Sequence, residues 1–511
     1  MKRRIYIAAG LVLSIMASCT KQLDQVPVSN VTVENFYNSA NDFQAGVNSI
    51  YSNLRGYPDN QLWMGEMRSD NVAATSDGNR DWQGINDFSP NLTTTAFIVG
   101  AYNNNFNGIY NANTVLSALA TKGSVVTDAN LRNRFAAEAR FLRAFYYFDL
   151  VRFYGKLPII DTVRTYTEAL SIGRSDVTDV YKLIISDLEF AAANLPATFT
   201  GTDLGRATSG AAKTLLGLVY LTRSGPVYAG TDGPTLASNE YSKALSLFNE
   251  VLGSGNYTFG TSYPNIFSYT NENNKEVIFD VQYVSGSSTY GATFPSMLVP
   301  PAYFTGLGLG GYGNGYGTCA FNIPGDLFAS YTSTTGGAVD TRDTFNIQRK
   351  FRLATGADTT NDYTRPFIKK YINTGRVGAS YTDWPINFIV MRYTDVMMMK
   401  AECILHGAPG TQTTVDSIVN AVRKRAGVQT TLTNVTLAQL MEERRREFLG
   451  EGLRWNDLVR EGMAVTTMNA WRTANNLTAV KEVVPNYVIY PIPQAEILVK
   501  PNLYKQNAGY Y

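Results

Sequence analysis

Two glutamates, Glu447 and Glu451, lie four residues apart and would share one face of a helix. Paired carboxylates hydrolyse glycosidic bonds, one acting as general acid and the other as base or nucleophile. Four arginines surround this pair: Arg444, Arg445, Arg446 and Arg454. Because ion pairing lowers a carboxyl pKa and a general acid needs a raised one, the spacing favours a structural salt-bridge network over catalysis.

Histidine and cysteine, the side chains that most often bind zinc, are few. The chain has one histidine, His406, and three cysteines, Cys19, Cys319 and Cys403, with no C-x-x-C pair. Zinc sites need three or four ligands at characteristic spacing, so no metal site is predicted. His406 precedes a glycine at an expected helix end, where a capping role is commoner than catalysis.

Phosphate-containing ligands are not indicated. Gly306, Gly308 and Gly311 satisfy G-x-G-x-x-G, but no helical pattern follows them, and no Walker-type sequence occurs. Forty-four basic side chains are balanced by 42 acidic ones, which leaves a net charge of only +2. Nucleic-acid binding needs a concentrated basic surface, so we expect no nucleic-acid partner and no cofactor.

The N-terminus has the pattern of an export signal. A basic start at residues 2–4 precedes an apolar run over residues 5–17, which is short for a membrane span. Cys19 follows two small residues, as in the lipobox of bacterial lipoproteins, where this cysteine is acylated and becomes the new N-terminus. We therefore expect a signal peptide over residues 1–18 and a lipid-anchored mature domain over residues 19–511. An ordinary signal peptide with a chance cysteine is the alternative.

Helical periodicity dominates the mature chain. Apolar residues recur at three- and four-residue steps, which predicts amphipathic helices. The predicted helices are one capped by Asn41, one over residues 128–154, one over 178–195 capped by Thr178, and others over 393–405, 415–426 and 437–461. In contrast, residues from about 253 to 384 are rich in Gly, Ser, Thr, Asn and Tyr, and we expect a loop-rich insert there.

One predicted helix pair has the pattern of a tetratricopeptide repeat. Leu216, Gly217 and Tyr220 match its first half, and Tyr241, Ala244 and Phe248 match its second half, with residues 224–239 inserted between them. Small residues in such repeats let two helices approach closely while aromatic side chains fill the gaps. Gly217 is therefore predicted to be a packing residue.

Longer motifs together resemble the SusD/RagB-like family of outer-membrane nutrient-binding lipoproteins. They occur in the family's order along the whole chain: A-R-F-L-R-A-F-Y-Y at 139–147, L-V-R-F-Y-G at 150–155, M-R-Y-T-D-V at 391–396, M-K-A-E at 399–402, V-N-A-V-R-K-R-A-G at 419–427, E-E-R-R-R-E-F at 442–448, E-G-L-R-W at 451–455, Y-P-I-P at 490–493 and Q-N-A-G-Y at 506–510.

The resemblance implies a single, mainly α domain with tetratricopeptide-like helix pairs and an irregular, ligand-facing portion. It also implies that the chain is not an enzyme. The implied role is a cell-surface lipoprotein that binds a polymeric nutrient, a glycan in preference to a peptide, and delivers it to a SusC-like TonB-dependent outer-membrane transporter. Two alternatives stay open: a lipid-anchored glycan hydrolase, and a tetratricopeptide adaptor that binds only protein.

Two segments outside the shared motifs combine aromatic and polar side chains, as a sugar-binding site requires. The first segment contains Asp70, Asn71, Arg80 and Trp82, and Asp70-Asn71 matches the local pattern of a region that contributes to the ligand face in SusD-like proteins. The second segment contains Tyr290, Tyr303, Tyr312 and Tyr316 among small residues. These eight side chains are the predicted ligand-binding residues, although packing on neighbouring loops or on the transporter would explain the tyrosines as well.

Overall fold

The structure is a computed structural model that describes residues 36–74, 81–286, 290–309, 322–333, 340–351, 366–376, 378 and 380–511. The predicted signal peptide and Cys19 lie outside these residues. The fold is mainly α-helical, as predicted, and its strands are short. Among the described residues, no helix has both the length and the apolar character needed to cross a membrane.

Within the described residues, the helices follow one another along the chain with six short strands between them. In the first half they are α1 (Ala40–Ser52), α2 (Tyr57–Gln61), α3 (Gln83–Asn86), α4 (Ala96–Lys122), α5 (Ala129–Tyr154), α6 (Tyr166–Ala169), α7 (Val177–Asn194), α8 (Ser209–Ser224) and α9 (Tyr241–Gly253). In the second half they are α10 (Tyr263–Ile266), α11 (Phe294–Met297), α12 (Pro301–Gly306), α13 (Gly325–Ser333), α14 (Thr341–Asn346), α15 (Tyr393–Leu405), α16 (Gln412–Arg425), α17 (Leu437–Glu447), α18 (Arg454–Arg460), α19 (Ala464–Ala474) and α20 (Gln494–Val499).

The strands form three antiparallel pairs and no larger sheet among the described residues. The strands are β1 (Leu157–Pro158), β2 (Arg174–Ser175), β3 (Val277–Val281), β4 (Ile347–Gln348), β5 (Phe367–Ile368) and β6 (Phe388–Arg392). β1 pairs with β2, β3 with β6, and β4 with β5. The β3–β6 pair joins the start of the loop-rich insert to the residues just after it, so it fixes both ends of that insert to the helical body.

Helix α5 is the centre of the core. It packs against α4 and α7, and nearly all of its side chains from Phe135 onward are buried. Asp128 caps its first turn by accepting hydrogen bonds from the Asn130 and Leu131 backbone, and Gly155 ends it with a positive φ of 70°. The predicted end of this helix is confirmed, and its start lies one residue later than predicted because Asp128 is the cap.

Helices α8 and α9 pack directly on each other, and α9 packs on α15. A Cβ atom added at Gly217 in α8 would lie 2.5 Å from Cε1 of Phe248 in α9. This position therefore has no room for a side chain, which agrees with the packing role predicted for Gly217.

Several predicted helix ends are wrong. Ser39, not Asn41, caps α1, because its hydroxyl accepts from the Asp42 backbone. Helix α7 begins at Val177 after Asp176, so Thr178 is inside it. The segment predicted as one helix over 437–461 is two helices, because the glycines between them, at 450 and 452, adopt positive φ angles of 80° and 73°.

Hydrogen bonds join the N-terminal and C-terminal parts of the chain. Glu66, in the π-helical turn Leu62–Glu66, accepts hydrogen bonds from the backbone of Gly450 (2.8 Å) and Gly452 (3.0 Å). Arg68 donates to the Tyr487 carbonyl (3.0 Å) and to the Tyr510 hydroxyl (2.9 Å). Residues separated by nearly the whole sequence therefore share one core.

Candidate ligand-binding face

The structure places Asp70 and Asn71 in the protein interior. The Asp70 carboxylate accepts from Nε and Nη2 of Arg454 at 2.8 and 2.9 Å and pairs with Arg445 at 3.2 Å. Burial by itself would raise the pKa of Asp70, but the two guanidinium groups lower it to about 2. Asn71 donates to Glu66 and accepts from Arg445. Both residues hold the fold together, so their predicted role as ligand contacts is corrected.

Two of the predicted aromatic contacts are also packed against the protein. Trp82 is buried and stacks on Trp63, with ring centroids 5.8 Å apart. Tyr303 is half-buried and makes edge-to-face contacts with Phe351 and Phe367 at 5.7 and 5.6 Å. A buried ring has no free face for a sugar, so the ligand role of Trp82 is corrected and Tyr303 is mainly a packing residue. Arg80, Tyr312 and Tyr316 lie outside the described residues.

Tyr290 is the predicted site residue that the structure leaves accessible. Its side chain is 56% exposed, and the Arg55 guanidinium lies over its ring, 5.5 Å from the centroid. Val284 donates its backbone N–H to the Tyr290 carbonyl at 3.0 Å and is itself 60% exposed. We refer to Tyr290, Arg55 and Val284 as the Tyr290 face.

Hydrogen bonds to the helical body position this face. The Tyr283 hydroxyl donates to the Arg55 carbonyl at 2.7 Å, which ties the end of β3 to the 3₁₀ turn Asn53–Gly56 after α1. Thr293 donates its hydroxyl to the Asp59 carboxyl in α2 at 2.9 Å. Burial raises the pKa of Asp59 to about 6, and the Thr293 hydrogen bond offsets part of that rise. Tyr290 therefore lies between two contacts with the helical body, one to the turn after α1 and the other to α2.

A second exposed tyrosine, Tyr381, lies on the segment that pairs with this loop. Ala292 and Trp384 form an antiparallel bridge, and the Trp384 indole donates to the Ser296 hydroxyl at 2.6 Å. Ser296 in turn donates to the Tyr381 carbonyl at 2.6 Å, and Tyr381 is 44% exposed. Exposed aromatic rings on a rigid, hydrogen-bonded support are suited to stacking on a flat ligand.

Two family profiles match the sequence. One is described as the SusD family and matches residues 350–510. The other is described as starch-binding, associating with the outer membrane, and matches residues 21–221. The chain belongs to the SusD-like family.

Relatives of this SusD-like chain align over most of its length. SusD-like protein P2 of Formosa agariphila is 26% identical over 98% of both chains. The starch-binding protein SusD of Bacteroides thetaiotaomicron is 28% identical over 75% of this chain and 74% of its own. The solved structure of a laminarin binding SusD-like protein superposes with a TM-score of 0.74 at 25% identity, covering 93% of this chain and all of the other.

The glutamate pair of this SusD-like protein belongs to a buried ion network, as predicted, but its partners are not the four arginines nearby in the sequence. Glu447 accepts from Arg392 at 2.9 Å and Arg342 at 3.2 Å, and Glu451 accepts from Arg392 at 2.9 Å and Lys370 at 2.6 Å. Burial opposes ionisation, but these cations lower the pKa of both carboxyls. The two residues do not share a helix, since α17 ends at Glu447. Neither has the raised pKa that a general acid needs.

His406 lies at the C-terminal cap of α15, as predicted. Its ring stacks on Tyr241 with centroids 4.4 Å apart, and Nε2 is 2.8 Å from the Glu461 carboxylate. Within the residues that the structure describes, no group of three or more His, Cys, Asp or Glu side chains is placed to hold a metal ion.

Sequence reasoning missed Arg55, Val284 and Tyr381. Arg55 lies just after a core helix in the sequence. Its contact with Tyr290 depends on the tertiary fold, which no local sequence pattern encodes. Tyr381 had a usable signal, because it lies in the loop-rich insert, in Tyr-Thr-Asp-Trp, where no helical period would bury it.

Proposed function

We propose that this chain is a cell-surface lipoprotein that binds a polymeric nutrient, a glycan in preference to a peptide, and delivers it to a SusC-like TonB-dependent transporter in the outer membrane. It acts by binding and has no catalytic role. Cys19 is the proposed lipid attachment point. Family membership and the lipobox-like N-terminus support the location and the partner.

The observation that carries the proposal is the exposed Tyr290 ring with the Arg55 guanidinium against it. A sugar ring has an apolar C–H face edged by hydroxyl groups. A tyrosine ring can stack on that face while guanidinium and phenol groups bond the hydroxyls. The names of two relatives, a starch-binding and a laminarin binding protein, support a glycan over a peptide.

Calorimetric titration of the purified mature domain with laminarin and with starch tests the proposal. We expect Tyr290→Ala to weaken binding about 3- to 10-fold, the loss of one aromatic contact of roughly 0.5–1.5 kcal/mol. Tyr290→Phe keeps the ring and should bind nearly as well as wild type. Tyr110→Ala is the matched control, because Tyr110 is 54% exposed but lies on α4, outside the loop-rich insert.

Equal losses in Tyr290→Ala and Tyr110→Ala would contradict a binding role for the Tyr290 face. Release of reducing sugar from either polysaccharide by the purified protein would instead support the hydrolase alternative. Isolation of the native protein from membranes identifies the transporter. Recovery without a TonB-dependent barrel would contradict the delivery role.

A further inference from the structure

A cleft with two lobes lies next to the Tyr290 face. The first lobe, about 210 Å³, is bounded by Tyr51, Leu54 and Arg55 on one side, by the loop residues Thr202–Arg206 on the other, and by Gln282. The second lobe, about 150 Å³, continues between Phe199 and the segment 273–275. Leu204, Gly205, Arg206 and Asp280 border both lobes. The two lobes are therefore neighbouring parts of one cleft.

Side-chain amide and carboxyl groups that are hydrogen-bonded to one another lie at the edge of this cleft. Gln282 donates its side-chain N–H to the Asn273 amide oxygen at 2.9 Å and to the Asp280 carboxyl, and Asn387 donates to the other oxygen of Asp280 at 3.1 Å. The Gln282 side chain is nevertheless exposed. Each of these oxygens can accept a further hydrogen bond. Groups fixed in advance lose little conformational entropy when they bind a ligand.

Of the cations that border the cleft, Arg55, Arg206 and Lys275, the one shared by both lobes is already paired. Arg206 is the cation that borders both lobes, and its charge is neutralised by Asp203 at 2.6 Å and by Glu138 at 2.9 Å. Apolar surface is supplied by Leu204, which borders both lobes and is 50% exposed. This combination of hydrogen-bonding side chains and apolar surface suits a sugar ring better than an anion or a hydrocarbon.

The size of the lobes limits the ligand. Each lobe is smaller than the roughly 300–1,000 Å³ of sites for drug-sized ligands, so each has room for about one sugar ring. Gly205 makes the narrow point between them. It has a φ of 90°, and a Cβ there would lie 2.6 Å from Cγ of Gln282, so the loop could not approach this closely with another residue.

Arg55 connects the cleft to the Tyr290 face, since it borders the first lobe and also lies against the Tyr290 ring. We propose that the cleft is a second carbohydrate subsite, which takes the terminal one or two units of a neutral oligosaccharide whose following units lie on Tyr290. This subsite rests on the proposed glycan-binding function and adds to it a preference for chain ends and for longer chains.

Calorimetry with laminari-, malto- and cello-oligosaccharides of two to six units tests the subsite on the intact mature domain. Wild type should bind hexasaccharides of the preferred linkage more tightly than disaccharides. Gln282→Ala removes a fixed amide and should weaken hexasaccharide binding about 3- to 10-fold. Thr202→Trp, an exposed position bordering the first lobe, should block the cleft and give the same loss. Gln429→Ala, an exposed glutamine elsewhere, is the matched control and should bind like wild type.

The outcomes separate the two proposals. If Gln282→Ala and Thr202→Trp both bind hexasaccharide like wild type while Tyr290→Ala loses affinity, the subsite is refuted and the glycan-binding function stands. If wild type binds no oligosaccharide of any of the three series, both are refuted. Equal thermal unfolding of all the variants shows that the losses are local.

Discussion

Replacing Asp70 with Asn tests the reassignment of this residue from ligand contact to core. The substitution keeps the shape of the side chain but removes the charge that the Arg445 and Arg454 guanidinium groups face. Two cations would then be left beside a neutral amide in the interior. Removing one partner of a buried ion pair costs about 3–5 kcal/mol, because the remaining charge stays desolvated.

The pKa of Asp70 gives a second measure of the same interaction. It falls from the usual 3.8 to about 2 in the folded chain, a shift worth about 2–3 kcal/mol. Because the folded pKa is the lower one, this stabilisation is complete above about pH 4 and is lost as the pH falls towards 2. The Asp70→Asn variant should therefore differ from wild type most at neutral pH, and the difference should narrow below pH 4.

Urea unfolding at pH 7, followed by circular dichroism, measures the change in unfolding free energy. We expect Asp70→Asn to lose about 2–5 kcal/mol. Asp161→Asn is the control, since Asp161 pairs with Arg164 at 3.0 Å on the surface, and such pairs contribute about 0–1 kcal/mol. A loss for Asp70→Asn no larger than that of the control would refute the structural role, and an unchanged stability with lost glycan binding would restore the original ligand hypothesis.

Three further changes test other parts of the reasoning. Gly217→Leu should destabilise the fold by about 1–3 kcal/mol, because its side chain would overlap Phe248, and an unchanged melting temperature would contradict that packing. Cys19→Ala should abolish partitioning into the detergent phase, and continued membrane attachment would exclude lipidation at Cys19. Burial raises the pKa of Asp280 to about 7. Between about pH 4 and 7 the folded chain therefore keeps a proton that the unfolded chain has lost, and the free energy of unfolding falls as the pH rises through that range. Urea unfolding should show that the unfolding free energy falls less between pH 5 and pH 8 in Asp280→Asn than in wild type. An equal fall in both proteins would contradict this assignment.

Local signals were enough to predict helices α5 and α15, but not every long helix, since α4 with its 27 residues was not predicted. Helix α15 has the predicted bounds, and α5 begins one residue later than predicted, because periodicity and helix-ending residues lie within the segments themselves. Cap assignments failed where two capping residues stand close together. Ser39 is the cap in place of Asn41, and the Asp42 carboxylate stabilises this arrangement by accepting hydrogen bonds from the Asn38 backbone N–H and the Ser39 hydroxyl.

The candidate site was only partly predictable, since exposure depends on distant partners. Asp70 and Asn71 have the composition of a binding loop, but Arg445, more than 370 residues later in the chain, buries both. No spacing rule shows that contact in advance. Tyr290 was identified because residues 285–291 are small and polar and cannot enclose a ring, so burial there would have required a distant element.

The contacts that join Glu66 and Arg68 to residues 450–510 have a consequence for biosynthesis. A chain made from its N-terminus holds these two side chains without their C-terminal partners until almost all of it has been synthesised. The first helices therefore cannot reach their final packing early, and closing such long loops slows folding further. For the proposed exported lipoprotein, a translocon admits only unfolded polypeptide, so contacts that delay the completion of folding would favour its export.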